Sequence, residues 1–178
     1  MPFLRIVVLA VSLSLAAAVL RDQVLVRIST GYFTFHPVAL FGSDSLSVIA
    51  LGRTLLASGW LALVYGLGMA CAARLGTRPK RSPRDLRKPV LMLIALVAAF
   101  AALAGIFGYV LASFGTVILN PNVKENMSAE KWPGFQACWF VHTMGNYVGC
   151  IGGGMQIAYV WVSRKQSNRT RMTRIGRG

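Results

Sequence analysis

The sequence predicts an all-α integral membrane protein with four transmembrane helices, both termini inside, and a structured outer loop between helices 1 and 2. Three observations carry this expectation. Hydrophobic residues make up 55% of the 178 and charged residues only 13%, about half the roughly 25% that keeps a soluble surface hydrated. Four apolar stretches approach or exceed the roughly 20 residues that a helix needs to cross a ~30 Å hydrocarbon core. The net charge of +14 is concentrated in two segments that are separated by two of those stretches. A soluble basic domain would explain the charge but not the apolar runs, and a disordered chain would be poor in Leu, Val, Ala and Phe.

The first span is expected over residues 4–20, interrupted by Arg5. Its end at Ala16-Ala17-Ala18 also resembles a secretory signal peptide, but the thin basic region and long apolar run favour an uncleaved anchor. The second span, 46–73, carries one charge, Arg53, whereas the third, 89–119, and the fourth, 135–162, carry none. The connector from Arg74 to Lys88 sets seven basic residues against Asp85, a net +6, and the tail over 163–178 adds another +6. Segments 21–45 and 120–134 each balance two bases against two acids. Short loops rich in Lys and Arg stay on the cytoplasmic side, so both basic segments belong inside and both neutral ones outside. Their simplest partners are anionic lipid headgroups. No aromatic residues interleave with the charges, which argues against nucleic acid.

The loop over 21–45 is too apolar for a free linker. Ile28, Tyr32, Phe33, Phe35 and Phe41 suit the membrane interface, and the residue before Pro37, His36, is expected to sit on an extended turn. Within the spans, Ala101, Gly105 and Gly108 and then Gly145, Gly149 and Gly153 recur at three- and four-residue spacing. Small residues so placed let helix backbones approach closely. Cys138, His142, Gly145, Gly149, Gly152 and Gln156 share one face of the fourth span, with Asn146 beside it. Arg53 and His142 each lie about seven residues inside their spans, roughly 10 Å deep on the same side. A charge in lipid is costly, so Arg53 is expected either to snorkel to the interface or to enter a polar pocket. That candidate ligand-binding pocket contains Arg53, His142 and Asn146, roofed by the loop bearing His36, Asp22 and Asp44.

Several chemistries lack their residues. Two His, one of them in a loop, cannot hold paired haems, and Cys138 with His142 has no further ligand for a metal site. No cofactor is expected. Cys71, Cys138 and Cys150 form no C-x-x-C motif. All five acids fall in loops or at their edges, so the intramembrane carboxylate of a small proton-coupled transporter is expected to be missing. No phosphate-binding loop or nucleophile elbow is present, and no residue is assigned a catalytic role.

One resemblance rests on particular residues: Asp22-Gln23, Val26-Arg27, Tyr32-Phe33-Thr34 and His36-Pro37, then Leu51-Gly52 and Arg78-Pro79-Lys80-Arg81. On these the chain resembles a group of bacterial multi-pass membrane proteins to which no activity is attached. A Trp-rich second span is usual in that group, whereas here Trp60 stands alone and Arg53 is unusually placed. The resemblance covers about half the chain, implies the bacterial inner membrane, and carries over no catalytic residue. The leading expectation is a non-enzymatic assembly or interaction partner in a membrane complex. The alternative is a binder or carrier of a quinone, lipid or small anion, and a third reading is a membrane enzyme using His36 and Asp22. Reporter fusions at Lys80 and Gly178 should both give cytoplasmic signals. An outside signal at either position would overturn the topology.

Overall fold

The computed structural model describes residues 1–35 and 44–175, with side chains as far as Arg164. Among the described residues every regular element is helical. Helix α1 spans Pro2–Ile28, α2 Thr30–Thr34, α3 Leu46–Arg74, α4 Pro83–Ser113, α5 Pro121–Glu125 and α6 Trp132–Ile175. A single 3₁₀ turn, Ala129–Lys131, leads into α6. The largest contacts join α1 to α3 and α4 to α6, so the bundle is a pair of antiparallel hairpins. Helices α1, α3 and α4 are each long and apolar enough to cross a membrane, with mean hydropathies of 2.5, 1.7 and 2.8 over their best windows. Helix α6 is the longest at 44 residues, but its Gln, His and Asn residues and its glycines dilute its apolar character.

Three helices differ in extent from the sequence expectation. Helix α1 runs past Leu20 to Ile28, because Arg21 and Asp22 find partners inside the protein and need not leave the helix. The outer loop expected from Arg21 therefore begins at Ser29, whose backbone is extended (φ −144°). Helix α4 starts at Pro83, behind a capping box in which the Ser82 amide donates to Asp85 (2.8 Å) and the Asp85 amide donates to Ser82 (3.4 Å). It ends at Ser113 rather than 119, where Gly115 takes a left-handed φ of +86° that a side chain would disfavour. Helix α6 continues beyond 162 into the basic tail, to Ile175.

The apolar core lies in two clusters at opposite ends of the bundle. At the cap end, Leu25, Val26, Phe33, Ala50, Leu119, Phe135 and Cys138 pack beneath α2 and α5. At the connector end, Ile6, Ala10, Met69, Ala73, Leu86, Val90 and Val160 form a second cluster. Close contacts on small residues hold the hairpins together. A Cβ on Gly105 would come within 2.5 Å of Val141, and one on Gly108 within 2.8 Å of Phe140. Gly66 against Val11, Gly68 against Ile157 and Gly152 against Leu93 are equally tight.

The α3–α4 connector is folded around one buried cation. The Arg164 guanidinium donates to the carbonyls of Pro79 (2.7 Å), Leu75 (2.9 Å), Arg78 (2.9 Å) and Ala72. These include carbonyls at the C-terminal end of α3, where a helix leaves acceptors unpaired and favours positive charge. Gly76, at φ +78°, turns the chain immediately after this helix. Arg78 lies over the Trp161 ring at 4.7 Å and donates to the Trp161 carbonyl (3.0 Å), and Arg81 donates to Ser163 (3.3 Å). Arg74, Arg78, Arg81 and Arg164 are thus engaged within the protein, which narrows the basic surface expected from sequence. Replacing Arg164 with Ala leaves several enclosed carbonyls without donors and should cost about 2–4 kcal/mol. Thermal unfolding in detergent, followed by Trp fluorescence, measures that loss, and an unchanged midpoint would refute it.

Candidate functional site

The polar centre of the molecule is built around Asp22. This residue is fully buried near the C-terminal end of α1, facing α3 and α6. Its Oδ1 accepts from Arg21 Nε at 2.8 Å, and its Oδ2 accepts from the Thr54 hydroxyl at 2.6 Å. The Thr54 hydroxyl also lies 2.8 Å from the Ala50 carbonyl; its one proton is better used by the charged acceptor. His142 Nδ1 lies 3.4 Å from Arg21 Nη2. Because a guanidinium can only donate, Nδ1 is the acceptor and the imidazole proton sits on Nε2. Nε2 is 3.2 Å from Asp22 Oδ1, within ion-pair reach but off the direction of a good hydrogen bond.

An aromatic shelf covers this cluster. Tyr32 stacks on His142 with ring centres 5.2 Å apart and meets Phe135 edge-on at 5.2 Å. Phe33, fully buried, approaches His142 at 6.2 Å. Arg53 sits on the other side of Tyr32, its guanidinium 4.4 Å from the Tyr32 ring centre and 5.4 Å from that of Phe33. It also donates to the Tyr32 carbonyl. Such cation–π contacts stabilise by about 0.5–2 kcal/mol. Arg53 therefore neither snorkels freely nor enters a polar pocket; it clamps α2 onto α3.

The structure thus sorts the residues singled out from sequence. Asp22 and His142 come together, with Arg21 and Thr54 as unexpected members. Arg53 is separated from them by the Tyr32 ring. Asn146 is exposed and, with Arg21, lines an apolar cleft between the hairpins, and Asp44 is exposed rather than part of a roof. His36 lies outside the described residues. The carboxylate expected to be missing from the helices is present: Asp22 is enclosed within a helix apolar enough to span a membrane. The exclusion of proton-coupled chemistry on that ground therefore loses its premise. Gln136, singled out by no sequence pattern, is also fully buried, accepting from the Ile118 amide (2.7 Å) and donating to the Gly108 and Thr116 carbonyls (3.0 and 3.2 Å).

Beside the cluster, between the two hairpins, lies the apolar cleft, of about 1080 Å³. On α1 it extends from Ile28 to Ser14, a rise of about 21 Å. Its walls mix Leu, Ile and Val with small residues that include Ala17, Ala18, Ala98, Ala102, Gly149 and Gly154. Gly149, expected to close a helix contact, instead opens this space, since a Cβ there would meet nothing within 4 Å. Gly153 faces the Tyr65 ring at 3.2 Å and Gly145 faces Arg21 Nη1 at 3.1 Å. Ala101, buried, lies 3.8 Å from the same Gly145 position. Arg21 lines the cleft near the middle of its length.

Truncating Asp22 to Ala strips the part-buried Arg21 of its counter-ion and Thr54 of its charged acceptor. It should destabilise by about 3 kcal/mol, close to the range for breaking a buried pair. Arg53→Ala should cost less, about 1–2 kcal/mol, since it removes a ring contact and one hydrogen bond. Equilibrium unfolding of both variants in one detergent tests the order, and a larger loss for Arg53→Ala would contradict it. No family model, curated protein or solved structure matches the chain.

Proposed function

We propose that this is a four-span inner-membrane protein that binds a long-chain amphiphile between its two hairpins. The carrying observation is the cleft itself. Small-molecule sites commonly occupy 300–1,000 Å³, with mostly apolar walls and a few polar groups. The cleft, about 1080 Å³, is walled in part by exposed side chains such as Leu20, Val24 and Ile106, and an apolar chain lying in it supplies dispersion contacts that the lining otherwise lacks. The elongated shape and apolar walls suit an acyl or isoprenoid chain, and Arg21, near mid-length, suits a polar head. The alternative expected from sequence, a quinone, lipid or anion binder, thus receives the stronger support, with the site in the cleft lined by Arg21 and Asn146 and not at Arg53.

The four-span, N-in and C-in arrangement is part of this reading. Residues 135–162 of α6 carry no charge, and α6 runs antiparallel along α4. The uneven distribution of Lys and Arg supports the orientation. Lys80, Arg84, Arg87 and Lys88 are exposed on the connector side, which leaves them free for anionic headgroups. A second reading, an interaction partner in a membrane complex, draws on Gly59, where a Cβ would meet nothing within 4 Å and another helix could approach closely.

Purification in mild detergent followed by native mass spectrometry distinguishes the two. The expected result is one long-chain amphiphile retained per protein, lost in Ala98→Phe, which fills the cleft, at unchanged yield and dispersity. A bare wild-type protein would overturn the binding reading, and a stoichiometric protein partner without amphiphile would favour the second.

A further inference from the structure

We infer that the cleft selects a neutral, carbonyl-headed amphiphile of the quinone class, whose head oxygen is held by Arg21 Nη1; this rests on the proposed cleft reading. Arg21 is held by its other two nitrogens: Nε donates to Asp22 at 2.8 Å and Nη2 faces His142 Nδ1 at 3.4 Å. Nη1 has no acceptor among the described residues, and Arg21 belongs to the cleft wall with 19% of its side chain exposed. A guanidinium presents five N–H donors and no acceptor, so the group that completes this site must offer an acceptor oxygen. Gly145 makes room for it. A Cβ at that position would stand 3.1 Å from Nη1 and would force one of the two to move.

Charge narrows the class of head. Asp22 already neutralises Arg21, and His142 contributes a neutral ring in the tautomer that the geometry assigns. The other nearby cation, Arg53, is turned to the Tyr32 and Phe33 rings and the Tyr32 carbonyl and does not line the cleft. A phosphate or carboxylate head would therefore bring a charge with no counter-ion of its own into a largely apolar cleft, which is costly. A carbonyl oxygen satisfies Nη1 without that penalty. The small side chains immediately below, at Ala98 and Ala102, leave width for a ring near the head and a tail running on towards Tyr65. The Asp22–His142–Thr54 group acts through Arg21, as its positioning residues.

The test uses the full chain in phosphatidylcholine nanodiscs, with decylubiquinone as the probe and phosphatidylglycerol as the charged competitor. Wild-type protein should bind the probe, and phosphatidylglycerol should compete no better than phosphatidylcholine. Arg21→Lys keeps a cation beside Asp22 but lacks the fork to reach both groups, so binding should weaken about tenfold or more. Gly145→Ala, which retains Arg21, should weaken binding comparably. If both variants bind like wild type while Ala98→Phe does not bind, the head assignment fails and the cleft reading stands. If Ala98→Phe also binds like wild type, the cleft reading itself fails. Displacement of the probe by phosphatidylglycerol at low mole fraction would overturn the neutral head.

Discussion

A carboxylate taken out of water must find donors, and Asp22 finds them on two helices and a close polar neighbour on a third. Arg21 supplies one from its own helix, Thr54 one from α3, and His142 reaches it from α6. Removing a charge from water costs several kcal/mol unless its lone pairs are met, so these elements are fixed in height relative to one another. The aromatic shelf follows from this, because Tyr32 can stack on His142 only when α6 is held at that level. The Arg53 clamp follows in turn, since it grips the same Tyr32. Beside this layer the cleft, which Arg21 lines near its middle, leaves the hairpins apart.

The bundle is therefore closed at its ends and open at its middle. Leu, Phe and Val fill the cap-end cluster, and Ile6, Met69 and Val90 fill the connector end. Between them Ala and Gly alternate with Leu, Ile and Val along the cleft, and at the Ala and Gly positions the side chains are too short to meet across the gap. The same residue types have opposite effects on the two sides of α6. Gly152 allows close approach of Leu93, whereas Gly149 leaves space. The difference lies in what stands opposite, not in the glycine.

This explains what was legible in the chain. Helix positions were readable because apolar length and charge placement are local properties, and the apolar stretches coincide with the cores of the long helices. The end of α1 was not, because Arg21 and Asp22 read as the start of a loop until their partners on α3 and α6 are known. Periodicity placed His142 on an inward face, but nothing in a linear sequence pairs it with a residue 120 positions away. Arg53 was identifiable as costly in lipid; its solution, an aromatic ring on a five-residue helix, depends on how the loop folds back. Arg164 was hidden among six basic tail residues, since a count of charge does not distinguish a cation facing headgroups from one encircled by carbonyls.

That encircled guanidinium imposes an order on biogenesis. The chain is made from its N-terminus, so Ala72, Leu75, Arg78 and Pro79 emerge more than eighty residues before the side chain that gathers them. Until α6 has followed, the turn after α3 has no centre, and its carbonyls are left to water. The first hairpin can pair as soon as α3 exists, but the connector takes its final shape only when α6 is in place. Closure at this end therefore reports that the chain through Arg164 has been delivered.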